Sequence, residues 1–134
     1  MSSPLSKNDS NKILIIEDQD FDRELLCQRL SDYGFLNLTT AVTGQEGLAK
    51  VKEEAFDVVI VDTGLPDING FRICEQIKEY NREIRVVLLI ANVRTVNFPR
   101  ARAVGADEYT YKTPRCEEII WSVRRCLASL KAVG

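Results

Sequence analysis

The sequence predicts an α/β domain of three layers, with one parallel sheet covered by helices on both faces. Three observations predict it. Short runs apolar at every position, Ile13-Leu14-Ile15-Ile16, Val58-Val59-Ile60-Val61 and Val86-Val87-Leu88-Leu89-Ile90, have the pattern of strands buried on both faces. Stretches with apolar residues at helical spacing separate them. The strand-then-helix unit recurs about five times, which calls for right-handed crossovers within a single sheet. At 134 residues, with 45% hydrophobic and 28% charged content, the chain has room for one such domain and a real core, but not for two.

Residues 1–11 are rich in Ser, Asn and Lys and are expected to form a flexible tail, so the domain is expected over residues 12–130, with 131–134 as a short C-terminal tail. After the first strand, Phe21, Leu25, Leu26, Leu30 and Tyr33 recur at helical spacing, and Gly34 sits where a helix ends on a left-handed residue. A weaker strand, Leu38–Ala41, leads to Thr43 as N-cap of a helix carrying Leu48 and Val51 to near Glu54. Asn69-Gly70 opens a third helix with Phe71, Ile73, Cys74 and Ile77 on its apolar face. Beyond the strand that ends near Ala91 the pattern is poor. Pro99 falls where a fourth helix belongs, so that helix is expected to start late, near Phe98, or to be kinked. A short strand, Glu108–Tyr111, and a last helix with Ile119, Ile120, Val123, Cys126, Leu127 and Leu130 complete the order.

The formal net charge of −2 gives no reason to expect nucleic acid or an anionic membrane as partner. Cys27, Cys74, Cys116 and Cys126 form no CxxC pair, and without a histidine they complete no zinc site, so they read as reduced, packed thiols. No charged-then-apolar leader opens the sequence, and no apolar run approaches the roughly 18 residues of a membrane span. The expected compartment is the cytoplasm.

Two of the strongest predicted strands end in carboxylates: Ile16 runs into Glu17-Asp18, and Val61 into Asp62. In an open parallel sheet the ligand crevice lies beyond the carboxyl ends of the strands, so the three acids are expected to converge there. Such crowding is costly unless a cation neutralises it. Hard oxygen donors without histidine or thiolate favour Mg2+, or Mn2+ in its place. An acid at a strand end is often only a turn former or a helix cap, and Asp18 or Asp62 alone would be read that way. Three acids at two strand ends, with Lys112 following a third strand, weigh against that reading. The metal and the lysine screen the charge that builds up when a carboxylate attacks a phosphoryl donor, and an acyl phosphate on Asp62 is the implied product.

These residues together resemble the receiver domain of two-component response regulators, a flavodoxin-like (βα)5 fold. The resemblance covers residues 12 to about 130 and is carried by ILIIEDQD at 13–20, FDVVIVDTGLPDINGF at 56–71, GADEY at 105–109 and Lys112. It implies a five-stranded parallel sheet in the order 2-1-3-4-5, Asp62 as phosphoacceptor, and Asp18 as a direct Mg2+ ligand. Glu17 would act mainly through a water on the metal, and the backbone carbonyl of Gly64 would be a further ligand. Lys112 would contact the phosphoryl group. The donor would be a histidine kinase or phosphotransfer protein. A downstream effector or a second copy would dock on the face made by the fourth helix, fifth strand and fifth helix. No chemistry is implied beyond the domain's own phosphorylation and dephosphorylation. Leu65-Pro66 and Gly70 match the turn after the acceptor strand, where glycine would relieve backbone strain. Tyr109 matches an aromatic that swings inward on activation, and reads equally as a half-buried ring on an edge strand.

Three positions depart from the family pattern. Ile90 stands where a Thr or Ser hydroxyl would bond the phosphoryl group, and Asn92 is a poor substitute because only a shifted strand end would bring it into reach. Thr113 intervenes between Lys112 and Pro114, and a cis Lys112-Thr113 bond would cost roughly 2.5 to 4 kcal/mol, which puts the reach of Lys112 to Asp62 in question. Pro99 is the third. Arg94, Arg100 and Arg102 make the region around it basic, a solvated face by default and a docking surface as the alternative.

Two competing functions follow from the same residues. A receiver-like module that binds a partner without phosphorylation is motivated by Ile90, Thr113 and Pro99. A phosphatase or nucleotide enzyme on this fold class is weaker, because the sequence has neither GxxxxGK[ST] nor GxGxxG.

Overall fold

The computed structural model describes residues 10–90 and 98–133; the expected tail before residue 10, positions Asn92 and Arg94, and Gly134 lie outside the described residues. Within them strand and helix alternate throughout: β1 (Ile13–Ile16), α1 (Asp20–Asp32), β2 (Leu38–Ala41), α2 (Gly44–Glu53), β3 (Val58–Asp62), α3 (Gly70–Tyr80), β4 (Arg85–Ile90), α4 (Phe98–Ala103), β5 (Glu108–Tyr111) and α5 (Glu117–Val133). All strand pairs are parallel, in the order β2-β1-β3-β4-β5, as the resemblance implied.

The period-two geometry of the strands divides the core into two clusters, one on each face. Leu14, Ile16, Val59, Val61, Val86 and Leu88 pack with residues of α2, α3 and α4, among them Val51, Ile73, Ile77 and Ala101. Ile13, Ile15, Val58, Ile60, Val87 and Leu89 face the other way, toward Leu26 and Leu30 of α1 and Ile119, Val123 and Cys126 of α5. The apolar-at-every-position runs are the direct record of this two-sided burial.

Helix starts follow the sequence signals closely. Thr43 Oγ1 accepts from the Glu46 amide at 3.1 Å, and the Glu46 carboxylate accepts from the Val42 amide at 3.2 Å, a reciprocal arrangement close to a capping box. Asn69 Oδ1 accepts from the Phe71 amide at 2.8 Å. The described part of α4 runs from Phe98 to Ala103 and contains Pro99; residues 91–97 before it, and with them the expected late start or kink of this helix, lie outside the described residues. Gly34 has φ of 90°, as expected for the residue that stops α1.

Three expectations are corrected. Phe21 is 75% exposed although it shares the helical period, because it lies in the first turn of α1, at the carboxyl-end rim where no sheet surface covers it. α5 runs on to Val133, past the boundary expected at residue 130, since nothing in Lys131-Ala132-Val133 breaks a helix. Gly70 is absent from the residues with positive φ, so strain relief is not its role. A Cβ on it would stand 2.5 Å from the carbonyl oxygen of Asp62 and 2.6 Å from Thr63 Cα, so close approach to the acceptor loop is what demands glycine.

All four cysteines are free thiols, three of them buried. Among the described residues no helix is long and apolar enough to cross a membrane.

Candidate functional site

Because the strands are parallel and Ile16 stands in register with Val61, β1, β3 and β5 end at one rim of the sheet. Glu17 and Asp18 follow β1, Asp62 closes β3 and Lys112 follows β5, so all four open into one crevice. One carboxylate oxygen from each of Glu17, Asp18 and Asp62 lies within 4.8 Å of the other two. Lys112 Nζ is 2.6 Å from Glu17 Oε1 and 2.9 Å from Asp62 Oδ2. It reaches Asp62 with every described peptide bond trans, so Thr113 does not hold it away.

Local bonds fix these groups. Arg23, in the first turns of α1, donates to the Glu17 carbonyl at 3.0 Å and holds the loop after β1 against the helix. The Gln19 amide donates to Glu17 Oε2 at 3.2 Å, and its side chain to Asp18 Oδ2 at 3.2 Å. Asp62 is held from two sides: Oδ1 accepts from the Gly64 amide at 2.9 Å while Oδ2 accepts from Lys112. Thr63 ties the same loop to β4, its amide and hydroxyl both donating to the Leu89 carbonyl, at 3.0 and 2.9 Å. Further along, Asp67 accepts from the Gly44 and Gln45 amides at 2.9 and 3.0 Å, which joins the acceptor loop to the start of α2.

The pocket carries more negative charge than Lys112 can answer. Glu17 is 1% and Asp62 2% exposed, so their mutual repulsion is little screened by water. The Glu17 carboxyl is pushed up to about 7: burial disfavours its charge, and the hydrogen bond with Asp62 adds to that, against the pull of Lys112. Burial would lower Lys112, but its bonds to Glu17 and Asp62 outweigh burial and raise it. In the metal-free pocket a proton on Glu17 relieves the crowding. A divalent cation would relieve it too, and the donor set fits one: three carboxylates, with neither imidazole nor thiolate among them, and Asp18 partly open to solvent.

The remaining predicted positions sort as follows. Gly64 lies in the acceptor loop with its amide turned to Asp62. Ile90 is buried at the end of β4 and offers no hydroxyl; its carbonyl accepts from the Lys112 amide at 3.3 Å. With Tyr109, Tyr111, Glu118, Trp121 and Arg125 it lines an open groove along the sheet edge. Tyr109 is half-buried and packs against the cluster beneath α2, α3 and α4. Arg100 and Arg102 are exposed, with the Arg100 guanidinium 4.9 Å from the centre of the Phe71 ring.

Sequence reasoning missed Asp22. Its Oδ2 lies 3.3 Å from Lys112 Nζ, making it a third carboxylate on that ammonium. The only signal was its place four residues after Asp18 in an acid-rich first helical turn, which reads as ordinary compensation of the helix dipole. Arg23 and Thr63 act through backbone carbonyls and left no pattern to find.

Residues 13–124 match the family profile described as response regulator receiver domain. The response regulator ArlR of Staphylococcus aureus is 31% identical over 116 residues, which is 87% of this chain and 52% of that protein. The chain thus spans about half the length of the curated relatives it matches. Among solved structures, a CheY-like receiver domain protein of Methanospirillum hungatei superposes with a TM-score of 0.83 at 25% identity, covering 92% of this chain and 98% of that one. The response regulator TrrA of Thermotoga maritima, in complex with Mg2+ and BeF, gives 0.79 at 28% identity, covering 87% and 98%.

Proposed function

The chain belongs to the response regulator receiver domain family, and from that membership we propose that Asp62 accepts a phosphoryl group from a histidine kinase or phosphotransfer protein. The observation that carries the reading is the meeting of Glu17, Asp18 and Asp62 within 4.8 Å, with Lys112 on Asp62 at 2.9 Å. Glu17, Asp18, Asp62 and the carbonyl of Gly64 would hold Mg2+, or Mn2+. When bound, the ion supplies positive charge against the phosphoryl oxygens.

In the transfer, an Asp62 carboxylate oxygen bonds to phosphorus as the P–N bond of a phosphohistidine breaks, and the imidazole leaves with the electron pair. The Gly64 amide orients the carboxylate. Lys112 exchanges a carboxylate oxygen for a phosphoryl oxygen and keeps its charge, which its raised pKa secures. The signal would then pass to the α4-β5-α5 face, for an effector or a second copy of the chain. Self-phosphorylation and self-dephosphorylation are the only reactions proposed, with the cytoplasm as their compartment.

The test is intact-mass measurement after incubation with a small acyl phosphate donor and Mg2+. The native chain should gain one phosphoryl group, whereas Asp62→Asn and a sample with excess chelator should gain none. No gain on the native chain, while a competent receiver reacts in parallel, would sink the proposal.

A further inference from the structure

Lys112 Nζ has three donors and meets three carboxylates: Glu17 at 2.6 Å, Asp62 at 2.9 Å and Asp22 at 3.3 Å. The third differs from the other two. Glu17 and Asp62 have side chains 1% and 4% exposed and belong to the acidic crevice itself, whereas Asp22 comes from the first turn of α1 and is 42% exposed. The other residues lining this pocket with Lys112, Glu17 and Asp22 are Leu25, Leu26, Leu89, Thr113, Cys116 and Ile119, none of them charged. Asp22 is therefore the acceptor that competes for Lys112 from outside the phosphoacceptor pocket.

We infer that Asp22 is a positioning residue that ties Lys112 in the resting state and competes with the phosphoryl group for its ammonium. The inference rests on the reading of Asp62 as phosphoacceptor. A phosphoryl group on Asp62 needs a donor from Lys112 and full use of its charge. Asp22 occupies one donor and partly neutralises that charge, so it stabilises the resting arrangement relative to the phosphorylated one. Because the carboxylate is partly solvated and the contact is at 3.3 Å, the effect is one of tuning and not of all-or-none control.

The experiment measures binding of beryllofluoride, a stable phosphoryl mimic, by calorimetry at saturating Mg2+. Asp22→Asn should bind the mimic about threefold more tightly than the native chain, the range expected for a half-exposed ion pair, while Asp22→Glu should stay near native affinity. In a Lys112→Met background the Asp22→Asn gain should vanish. Unchanged or weaker binding by Asp22→Asn overturns the inference. So does a gain that persists without Lys112, since that would be bare charge removal. Should Lys112→Met not fold, the 15N resonance of the Lys112 ammonium decides: it should move on Asp22→Asn in the resting protein, and a fixed resonance overturns the contact. A native chain that takes up neither beryllofluoride nor phosphoryl would fell the phosphoacceptor reading and this inference together. Native uptake with no response to Asp22→Asn fells this inference alone.

Discussion

Glu17 is the residue whose behaviour pH exposes most directly. In the metal-free fold it keeps its proton up to about pH 7, while the same carboxyl in the unfolded chain releases it near 4.5. Between those values the folded state holds the extra proton, so this contribution to stability is complete below about 4.5 and is lost as pH rises toward 7. Urea unfolding without metal should therefore show stability falling across that window, by at most about 1.4 kcal/mol per pH unit for one proton, and Glu17→Gln should flatten the slope. Mg2+ displaces that proton, so binding should release protons near pH 6 and almost none at pH 8, which calorimetry in buffers of different ionisation enthalpy would detect. Glu17, Asp18, Asp62 and Lys112 were legible in the sequence because each follows or ends a strand at one rim. Asp22 was not. Its partner lies 90 positions away, and its neighbours Asp20 and Glu24 hide it in a run of helix-start acids.

Among the elements, the acceptor loop between β3 and α3 is the most constrained. It is tied to β4 through Thr63 and to α2 through Asp67, and it passes under the bare backbone of Gly70. Gly70→Ala sets a methyl against backbone atoms that no side-chain rotation can clear, and should cost about 2 kcal/mol in urea unfolding, within the range for overpacking. It should also slow uptake of the phosphoryl group, because the atoms displaced belong to Asp62 and Thr63. Strand limits at Ile13–Ile16, Leu38–Ala41 and Glu108–Tyr111 were readable from apolar runs and turn residues. The reach of α1 over the sheet was not, since helical period alone does not say where the sheet beneath it ends, and Phe21 lies beyond that point.

For the molecule as a whole, ion binding and folding are linked, because the three carboxylates meet only when β1 and β3 are paired. Mg2+ at ten times its dissociation constant should raise the unfolding free energy by about 1.4 kcal/mol, and Asp18→Asn should abolish most of that increment in thermal melts. The fold was legible at this level for a plain reason. Every sheet residue of β1 and β3 is buried, so the pattern admits few other architectures. The order of the strands came only from family resemblance, as composition and periodicity do not distinguish one parallel order from another.

The chain's single tryptophan, Trp121, is 57% exposed on α5 and lines the same groove as Ile90 and Tyr109. Its indole is thus an optical reporter stationed at the sheet edge and not among the acids. Light emitted there registers events that travel outward from the crevice. Silence at that wavelength during ion uptake, followed by a change on phosphorylation of Asp62, would time the two steps separately in one cuvette.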